Sequence, residues 1–277
     1  MVRMTVIITA GMLLYSAGVR GAYVGAGAMS LAVLSEAIAT RLMAASAVRA
    51  LVSRDDTENG HLNLRNISRF YYPLALTSLL SLGVHPFVTF FLGRSAMAVE
   101  SLAVLPVVNS LVFIFRSIGL SYQEVVIALV GKQRQNFSLL RNYAVLLGSV
   151  VTVLIALIAF TPLADMWFTG FSGLDRELAG LSYLPLRIMI LLPALTVLLN
   201  FQRSLFVVNG TTGPISAATA IELIGIIAVL LVCVIFLDMV GVVAASIAFV
   251  AGKGMSTLYL LPGQNAIVKR WMVQAFC

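Results

Sequence analysis

Eight long apolar segments constrain the fold of this chain more than any other feature of its sequence. They cover roughly residues 4–19, 22–40, 68–92, 97–119, 143–163, 180–203, 214–236 and 240–262. A helix needs about 20 mostly apolar residues to cross the hydrocarbon core of a bilayer. The composition agrees, because 60% of the residues are hydrophobic and only 10% are charged, whereas a soluble domain has about 25% charged residues. The sequence therefore predicts an all-α polytopic membrane protein with about eight transmembrane helices and the lipid bilayer as its main solvent.

One hydrophilic stretch separates these segments into two groups. It covers residues 53–66 and lies between the second and third apolar segments. Polar stretches of this kind connect helical units rather than crossing a membrane. We therefore expect two helices over residues 1–52, a cytoplasmic linker over 53–66 and a six-helix bundle over 67–277.

The positions of Lys and Arg predict the orientation of the chain. With the amino terminus in the cytoplasm, twelve of these residues lie on the inner side and three on the outer side, namely Arg20, Arg94 and Arg176. Cytoplasmic loops carry the excess of positive charge in membrane proteins. An even number of spans then places both termini in the cytoplasm, in a plasma or inner membrane. A signal peptide over residues 1–25 is the alternative for the first segment, although a helical hairpin with the segment that follows almost at once is simpler.

The sequence lacks the features that are typical of nucleic-acid-binding proteins, metal sites and common enzyme classes. The net charge of +7 does not indicate a nucleic-acid partner, because the basic residues lie at segment ends without a basic stripe or a nucleic-acid-binding motif. The cysteines, Cys233 and Cys277, and the histidines, His61 and His85, are too sparse for a disulfide framework or a metal site. Neither a zinc-peptidase motif, a nucleophile elbow nor a P-loop is present. We therefore expect neither an enzyme nor a bound cofactor.

The fourth segment, which is expected to continue as a helix to about residue 131, carries polar residues at intervals of seven. One series is Asn109, Arg116 and Gln123, and the next is Ser110, Ser117 and Glu124. Because seven residues make almost two helical turns, we expect one polar stripe along the helix. The stripe is either the wall of a translocation path or the result of a helix that leaves the bilayer near Gln123, with Arg116 reaching the interface. The depth of Asn109 favours the path.

Two opposite charges are expected to meet in the last two segments. Glu222 and Lys253 both lie roughly 12–14 Å from the predicted cytoplasmic boundary, on consecutive and therefore antiparallel helices. An ion pair would lower the cost of burying either charge. The pair either joins the two helices, which is the favoured interpretation, or couples transport, with Glu222 as the protonated group and Lys253 as its counter-charge.

Two arginines and five prolines mark the remaining segments. Arg187 has no evident partner and either attracts an anionic solute or reaches the lipid headgroups, whereas Arg203 is interpreted as a topological anchor. His85 is expected to be a hydrogen-bonded interior residue rather than a ligand.

Proline frees a backbone carbonyl and kinks a helix, as the moving helices of transporters often require. The prolines inside the segments are Pro73, Pro86, Pro106, Pro185 and Pro193.

Five short sequences after residue 67 carry a resemblance to a known superfamily. They are FYYPLAL at 70–76, FFLGR at 90–94, the polar helix over 117–131, PLRI at 185–188 and the NGTTGP turn at 209–214. Together they resemble the carboxyl-terminal half of a multidrug/oligosaccharidyl-lipid/polysaccharide (MOP) exporter. This superfamily includes the multidrug and toxic compound extrusion (MATE) transporters, the lipid-linked sugar flippases and the progressive ankylosis proteins, of which the last group is the most similar.

The resemblance implies a two-lobe transporter of twelve helices whose central cavity opens alternately to either side. The chain would correspond to helices 5–12, so most of the amino-terminal lobe and its coupling acids would be missing. We expect either a truncated product or assembly with a second chain that replaces the lost lobe. Arg116, Glu124 and Arg187 fall in matching helices. The implied activity is secondary active export of a solute, driven by a Na⁺ or H⁺ gradient.

The embedded charges indicate the class of solute. Because Arg116, Arg187 and Lys253 are the embedded cations, a small organic anion or a phosphate-bearing solute is favoured over a cationic drug. A lipid-linked sugar flippase is one alternative, although it would need a larger and more basic cavity. A non-transporting membrane scaffold or assembly subunit is the other. The candidate pathway residues are Asn109, Arg116, Gln123, Glu124 and Arg187, with Glu222 and Lys253 as a possible coupling pair.

Overall fold

The computed structural model describes residues 2–52, 64–130 and 137–275, and nearly all of them are helical. Within these ranges there is no β-strand, and a β-bridge joins Ala96 to Val240. Most of the predicted linker, residues 53–63, lies outside the described residues. The α-helices are α1 (Val2–Ser16), α2 (Gly21–Val52), α3 (Leu64–Leu92), α4 (Ala98–Leu129), α5 (Phe137–Phe160), α6 (Leu163–Asp165), α7 (Arg176–Ile188), α8 (Leu192–Val208), α9 (Gly213–Leu230) and α10 (Gly241–Ala275).

Among the described residues, seven helical stretches are long and apolar enough to cross a membrane, counting α7 and α8 as one continuous stretch over Arg176–Val208. The chain is therefore an all-α polytopic membrane protein, as its apolar segments predict. The first of the eight predicted spans differs, because α1 has only 15 residues. At 1.5 Å per residue it covers about 22 Å, less than the roughly 30 Å of a hydrocarbon core. The predicted side of each terminus depends on this count and stays a prediction.

The chain forms two compact units, Met1–Leu62 and Asn63–Cys277. In the first unit, α1 and α2 pack against each other, which confirms the predicted hairpin. The turn between them depends on Gly18, whose φ of +74° is readily adopted by glycine. The amide of Gly18 donates to the carbonyl of Tyr15, and the amide of Val19 donates to that of Leu14. This pair of bonds closes the end of α1 as a Schellman motif.

Helix α8 is the central element of the second unit. It packs against α4, α5 and α10, and most of its residues are buried, from Leu192 at its start to Phe206 near its end. Gln202 is buried among these neighbours, and its side-chain amide donates to the carbonyl of Thr257 and to the side chain of Gln264. A helix surrounded on several sides in this way can bring polar groups together away from lipid.

Helix α5 has one buried face and one exposed, apolar face. Its buried residues recur every three or four positions, at Leu140, Ala144, Gly148, Val151, Ile155 and Ala159. The opposite face carries exposed Leu146, Val153 and other large apolar side chains. A soluble monomer does not present a continuous apolar face of this kind to water. The face is therefore suited to contact with lipid acyl chains.

Helices α4 and α8 run parallel and approach closely at Gly119. The side-chain amide of Asn200 donates to the backbone carbonyl of Gly119, and the hydroxyl of Ser204 donates to that of Gln123. A Cβ atom on Gly119 would lie 3.0 Å from the backbone nitrogen and 3.2 Å from the Cα of Val197. Glycine at this position therefore allows the two backbones to meet, as small residues do in membrane bundles.

Replacing Gly119 with alanine is expected to lower the free energy of unfolding by about 1–3 kcal/mol, because the added methyl group must displace the backbone of α8. Gly148→Ala is the matched control, since a Cβ there would lie 3.7 Å from Ala194, which is ordinary contact. Denaturant unfolding in detergent micelles measures both variants. Equal stabilities would contradict this account of the α4–α8 contact.

The helices around α8 contain irregular turns. A 3₁₀ turn over Met189–Leu191 separates α7 from α8, and Pro193 follows at the start of α8. Because the proline ring clashes with the carbonyl four residues earlier, the regular helix is interrupted there, which confirms one of the predicted proline breaks. Helix α9 ends in a π-helical turn over Leu231–Phe236. Both turns are points where the helix direction can change.

The predicted NGTTGP turn connects α8 to α9. Gly210 has a φ of +71°, and its amide donates to the carbonyl of Val207. The amide of Thr211 donates to that of Phe206, which closes a second Schellman motif. Pro214 follows in the first turn of α9, a position that needs no backbone donor. This turn fixes how α9 begins beside α8.

Candidate functional site

A cavity of about 270 Å³ lies inside the second unit, between α3, α4, α8, α9 and α10. All five helices belong to the membrane-spanning stretches. The cavity extends along α4 from Asn109 to Leu120, which is about 16 Å at 1.5 Å per residue. This cavity is called the charged cavity below, and its polar lining residues are Ser81, His85, Asn109, Arg116, Arg203, Thr219, Glu222 and Lys253.

Glu222 lies between two cations in the charged cavity. Its Oε1 is 2.6 Å from the Nζ of Lys253, and its Oε2 is 3.8 Å from the Nη2 of Arg203. The three side chains are 12–17% exposed, so all three are largely buried. The predicted contact between Glu222 and Lys253 is confirmed. It arises because α9 and α10 are consecutive, antiparallel and packed along their length.

Small residues permit this close packing of α9 and α10. A Cβ on Gly252 would lie 2.9 Å from the carbonyl oxygen of Glu222. A Cβ on Gly225 would meet the side chain of Met255. The glycine next to Lys253 therefore brings the backbone of α10 close enough for the lysine to reach the carboxylate on the neighbouring helix.

Arg203 belongs to the charged cavity rather than to a helix end. Its Nη2 donates to the hydroxyl of Thr219 at 2.9 Å, in addition to its ion pair with Glu222. Its Nε has no hydrogen-bond partner within the described part of the chain. The sequence predicts Arg203 to be a topological anchor because the apolar segment ends there. Helix α8 instead continues to Val208, which places Arg203 about 7 Å inside the helix.

Arg116 supplies the third cation of the charged cavity. Its Nε donates to the hydroxyl of Thr196 at 3.3 Å. That hydroxyl in turn donates to the carbonyl of Leu192 at 2.7 Å, so it is held as an acceptor for Arg116. Among the residues that the structure describes, no carboxylate forms an ion pair with Arg116. The residues lining the cavity therefore carry two formal positive charges in excess.

The polar series of α4 is not one continuous wall. Asn109 and Arg116 line the charged cavity, whereas Gln123 is half-buried outside it and Glu124 is exposed. The hydroxyl of Ser117 donates back to the carbonyl of Ile114 in its own helix. Adjacent residues are about 100° apart around an α-helix, so the series that contains Glu124 faces a different direction from Asn109.

Arg187 also lies outside the charged cavity. Its side chain is exposed, and its guanidinium carbon is 5.2 Å from the centre of the Phe160 ring. Cations are attracted to aromatic faces at such distances. The structure thus brings together four of the seven predicted site residues, namely Asn109, Arg116, Glu222 and Lys253, and adds Arg203 to them.

A second cavity of about 330 Å³ adjoins the charged cavity. His85, Asn109 and Phe249 line both. The other lining residues are mainly apolar and include Leu92 at the end of α3 and Leu102 near the start of α4. The two cavities are therefore neighbours, and the second, more apolar one extends toward the connection between α3 and α4.

The charged cavity has the chemistry of an anion site. Guanidinium and ammonium groups donate charge-assisted hydrogen bonds to carboxylates and phosphates, and Arg116 and Arg203 each have donors not engaged by a carboxylate within the described residues. No group of three or more His, Cys, Asp or Glu residues is placed to hold a metal ion in the described ranges. In comparisons with known proteins, the sequence matches no family model and no curated protein, and the structure matches no solved structure.

Proposed function

We propose that the chain is a secondary active transporter that moves a small organic or phosphate-bearing anion through the charged cavity. The observation that carries this proposal is Arg116, a cation that forms no ion pair among the described residues and lines a cavity between membrane-spanning helices. An embedded charge costs at least about 2.5–3.5 kcal/mol on insertion scales. An anionic ligand offsets that cost.

The balance of charges favours a ligand site over simple helix attachment. Glu222 and Lys253 alone would join α9 to α10 without net charge. Arg203 and Arg116 add two cations from α8 and α4 that this attachment does not need. Buried charges that are not paired one for one commonly mark ion and solute pathways in membrane proteins.

The dimensions of the cavity favour a small solute. Pockets for drug-sized ligands are about 300–1,000 Å³, and the charged cavity is at or just below the lower limit at about 270 Å³. A phosphate-sized ion or a small carboxylate fits such a volume, whereas a lipid-linked oligosaccharide does not. The sugar flippase is accordingly the weaker transport alternative.

The helices that surround the cavity have the irregularities that alternating access requires. The 3₁₀ turn precedes α8, which carries Arg203, and the π turn follows α9, which carries Glu222. Such turns absorb changes in helix direction while the rest of the helix stays rigid. We propose an alternating-access mechanism of the kind used by MOP exporters, with a Na⁺ or H⁺ gradient as the driving force for export across a plasma or inner membrane.

Flux into proteoliposomes tests the proposal. The purified chain is reconstituted, and uptake of radiolabelled phosphate, sulfate or a dicarboxylate is measured with an imposed H⁺ or Na⁺ gradient. We expect anion uptake above that of protein-free vesicles and no uptake of an organic cation such as tetraphenylphosphonium. Uptake of the cation alone, or no flux of any solute from folded protein, would contradict the proposal, and the latter result would favour a scaffold or assembly subunit.

A further inference from the structure

We propose that the charged cavity selects an anion with two negative charges, which Arg116 and Arg203 bind together while Glu222 stays ionised beside Lys253. The inference rests on the proposed function in one respect, namely that the charged cavity receives an anion. It deepens that function by naming the charge class of the solute. A dianion, either an inorganic oxyanion or a short dicarboxylate, is bound in preference to a monoanion of the same size.

The charges on the cavity wall set this preference. Among the described residues that line the cavity, Glu222 carries the negative charge, and the positive charges are those of Arg116, Arg203 and Lys253. Glu222 lies 2.6 Å from Lys253 but 3.8 Å from Arg203, so its direct hydrogen-bonded partner is the lysine. This pair cancels, and two formal positive charges remain, which a dianion balances.

Two threonine hydroxyls hold the two arginines without neutralising them. The hydroxyl of Thr196 donates to the carbonyl four residues earlier at 2.7 Å and accepts from the Nε of Arg116 at 3.3 Å. The hydroxyl of Thr219 likewise donates to the carbonyl four residues earlier at 3.1 Å and accepts from the Nη2 of Arg203 at 2.9 Å. A hydroxyl positions a guanidinium but leaves its charge, whereas a carboxylate would cancel it.

Each arginine also has hydrogen-bond donors left for a ligand. A guanidinium has five N–H donors, and within the described residues Arg116 uses its Nε, toward Thr196. The Nε of Arg203 is buried and has no hydrogen-bond partner in the described part of the chain. A buried donor without an acceptor is unfavourable. Both side chains therefore lack acceptors, and these are what the oxygen atoms of a dianion supply.

A monoanion would leave one of the two cations without an opposite charge. The side chains of Arg203, Glu222 and Lys253 are 12–17% exposed and Arg116 is half-buried, so water screens their charges only in part. Between charges a few ångströms apart, attraction in such surroundings is several times stronger than in bulk water. A second negative charge on a ligand of the same size therefore increases its binding more here than at an exposed surface.

The two arginines are held at different depths along the same wall. Thr196, which holds Arg116, lies seven residues before Arg203 on α8. Seven residues make almost two turns and span about 10 Å, so both positions lie on one face of that helix. The two cations can engage the two ends of a dicarboxylate or converge on one oxyanion. Both ligands share the same chemistry, and the experiment below separates them.

Titration calorimetry with two matched pairs of anions tests the inference. Sulfate and methanesulfonate share a tetrahedral sulfur centre, and succinate and butyrate share a four-carbon chain, but the members of each pair differ by one charge. The full chain in detergent is titrated at about pH 8 and at equal ionic strength, since salt screens exposed charges. In at least one pair, we expect the dianion to bind at least about tenfold more tightly than the monoanion. Preference for sulfate indicates that the cations converge, and preference for succinate indicates that they stay apart.

Substitutions at Arg116 test whether the charge count causes the preference. Arg116→Gln lowers the excess to one positive charge, so the ratio of dianion to monoanion affinity should fall below about threefold. Arg116→Lys keeps the charge and should keep the preference. Arg187→Gln is the matched control, because Arg187 lies outside the cavity over the Phe160 ring, and its ratio should equal that of wild type. A ratio of two affinities does not change when part of the protein is merely unfolded.

Three results would overturn the inference: equal affinities within both pairs, no binding of either dianion, or a wild-type ratio that persists in Arg116→Gln. If Arg116→Gln does not fold, the ratios of wild type and Arg116→Lys decide, and loss of the preference in the lysine variant contradicts a role for charge alone.

Binding and flux separate this inference from the proposed function. Preferential binding of a dianion without flux of any solute in proteoliposomes would refute the transporter and leave the dianion site standing. Anion flux without a preference for the dianion in either pair would refute the dianion site and leave the transporter standing.

Discussion

Glu222→Gln is expected to lower the free energy of unfolding by about 3 kcal/mol, more than any other single substitution in the charged cavity. Removing one partner of a buried ion pair lowers the free energy of unfolding by about 3–5 kcal/mol, because the remaining charge stays buried without an opposite charge beside it. Here one substitution leaves Lys253, Arg203 and Arg116 facing each other with no carboxylate among the residues that line the cavity. The low exposure of Glu222, 13%, means that water screens this repulsion only in part.

Lys253→Gln is the informative comparison. It removes the shorter contact, yet Glu222 keeps Arg203 at 3.8 Å, so we expect a smaller loss of about 1–2 kcal/mol. Glu124→Gln, on the exposed side of α4, should change stability by less than about 0.5 kcal/mol. Denaturant unfolding in detergent at low sulfate gives all three values. If Lys253→Gln lowered the free energy of unfolding as much as Glu222→Gln does, the conclusion that the charged cavity carries an excess of positive charge would be wrong.

Arg116→Gln is expected to lower anion flux by at least about tenfold at low solute concentration. A hydrogen bond to a charged group is worth about 1.5–3 kcal/mol, and each 1.4 kcal/mol is about a factor of ten in affinity. The substitution removes the cation that no protein carboxylate neutralises in the described structure. Arg116→Lys should recover part of the flux, since lysine keeps the charge but loses the planar pair of donors.

Arg187→Gln is the matched control for this result. Arg187 is also an arginine within a membrane-spanning stretch, but it is exposed and lies over the Phe160 ring outside the cavity. Flux should stay within about a factor of two of wild type, because Arg187 does not line the cavity and its exposed cation–π contact, worth about 0.5–1 kcal/mol, involves Phe160 rather than a solute. If Arg116→Gln lowered only the amount of protein and left flux per molecule unchanged, the role of Arg116 in transport would be wrong.

The pairing of Glu222 with Lys253 could be predicted because it needs only local information. The two residues lie on consecutive apolar helices joined by a short connection, so the depth of each follows from counting residues along its own helix. Helical periodicity also places Asn109 and Arg116 on one face of α4. Both predictions depend on a rule that acts within one helix or one hairpin.

Arg203 could not be assigned in this way because its environment depends on where α8 ends and on what packs around it. The apolar segment stops near residue 203, but the helix continues to Val208, with the Schellman turn at Gly210 closing it. Its partners are Glu222 and Thr219 on the next helix. A helix end defined by hydropathy differs from one defined by hydrogen bonds when polar residues of the last turns are buried against neighbouring helices.

Glu124 is grouped with the pathway residues by its spacing, but it does not line the charged cavity. A heptad spacing indicates that residues share a face, but two adjacent heptad series are about 100° apart around the helix. The series with Asn109 faces the cavity and the series with Glu124 faces away from it. The sequence does not say which of the two faces meets α8, since this depends on Gly119 and its contact with Val197.

Thiol labelling of the charged cavity from each side of the membrane tests alternating access most directly, because it does not require the solute to be known. Ser81 lines the cavity and is exposed, so Ser81→Cys is introduced with Cys233 and Cys277 replaced by alanine. A membrane-impermeant thiol reagent is then applied to reconstituted vesicles from outside or from inside. We predict labelling from both sides, with sulfate slowing both reactions. Labelling from one side only, with or without sulfate, would contradict alternating access through this cavity.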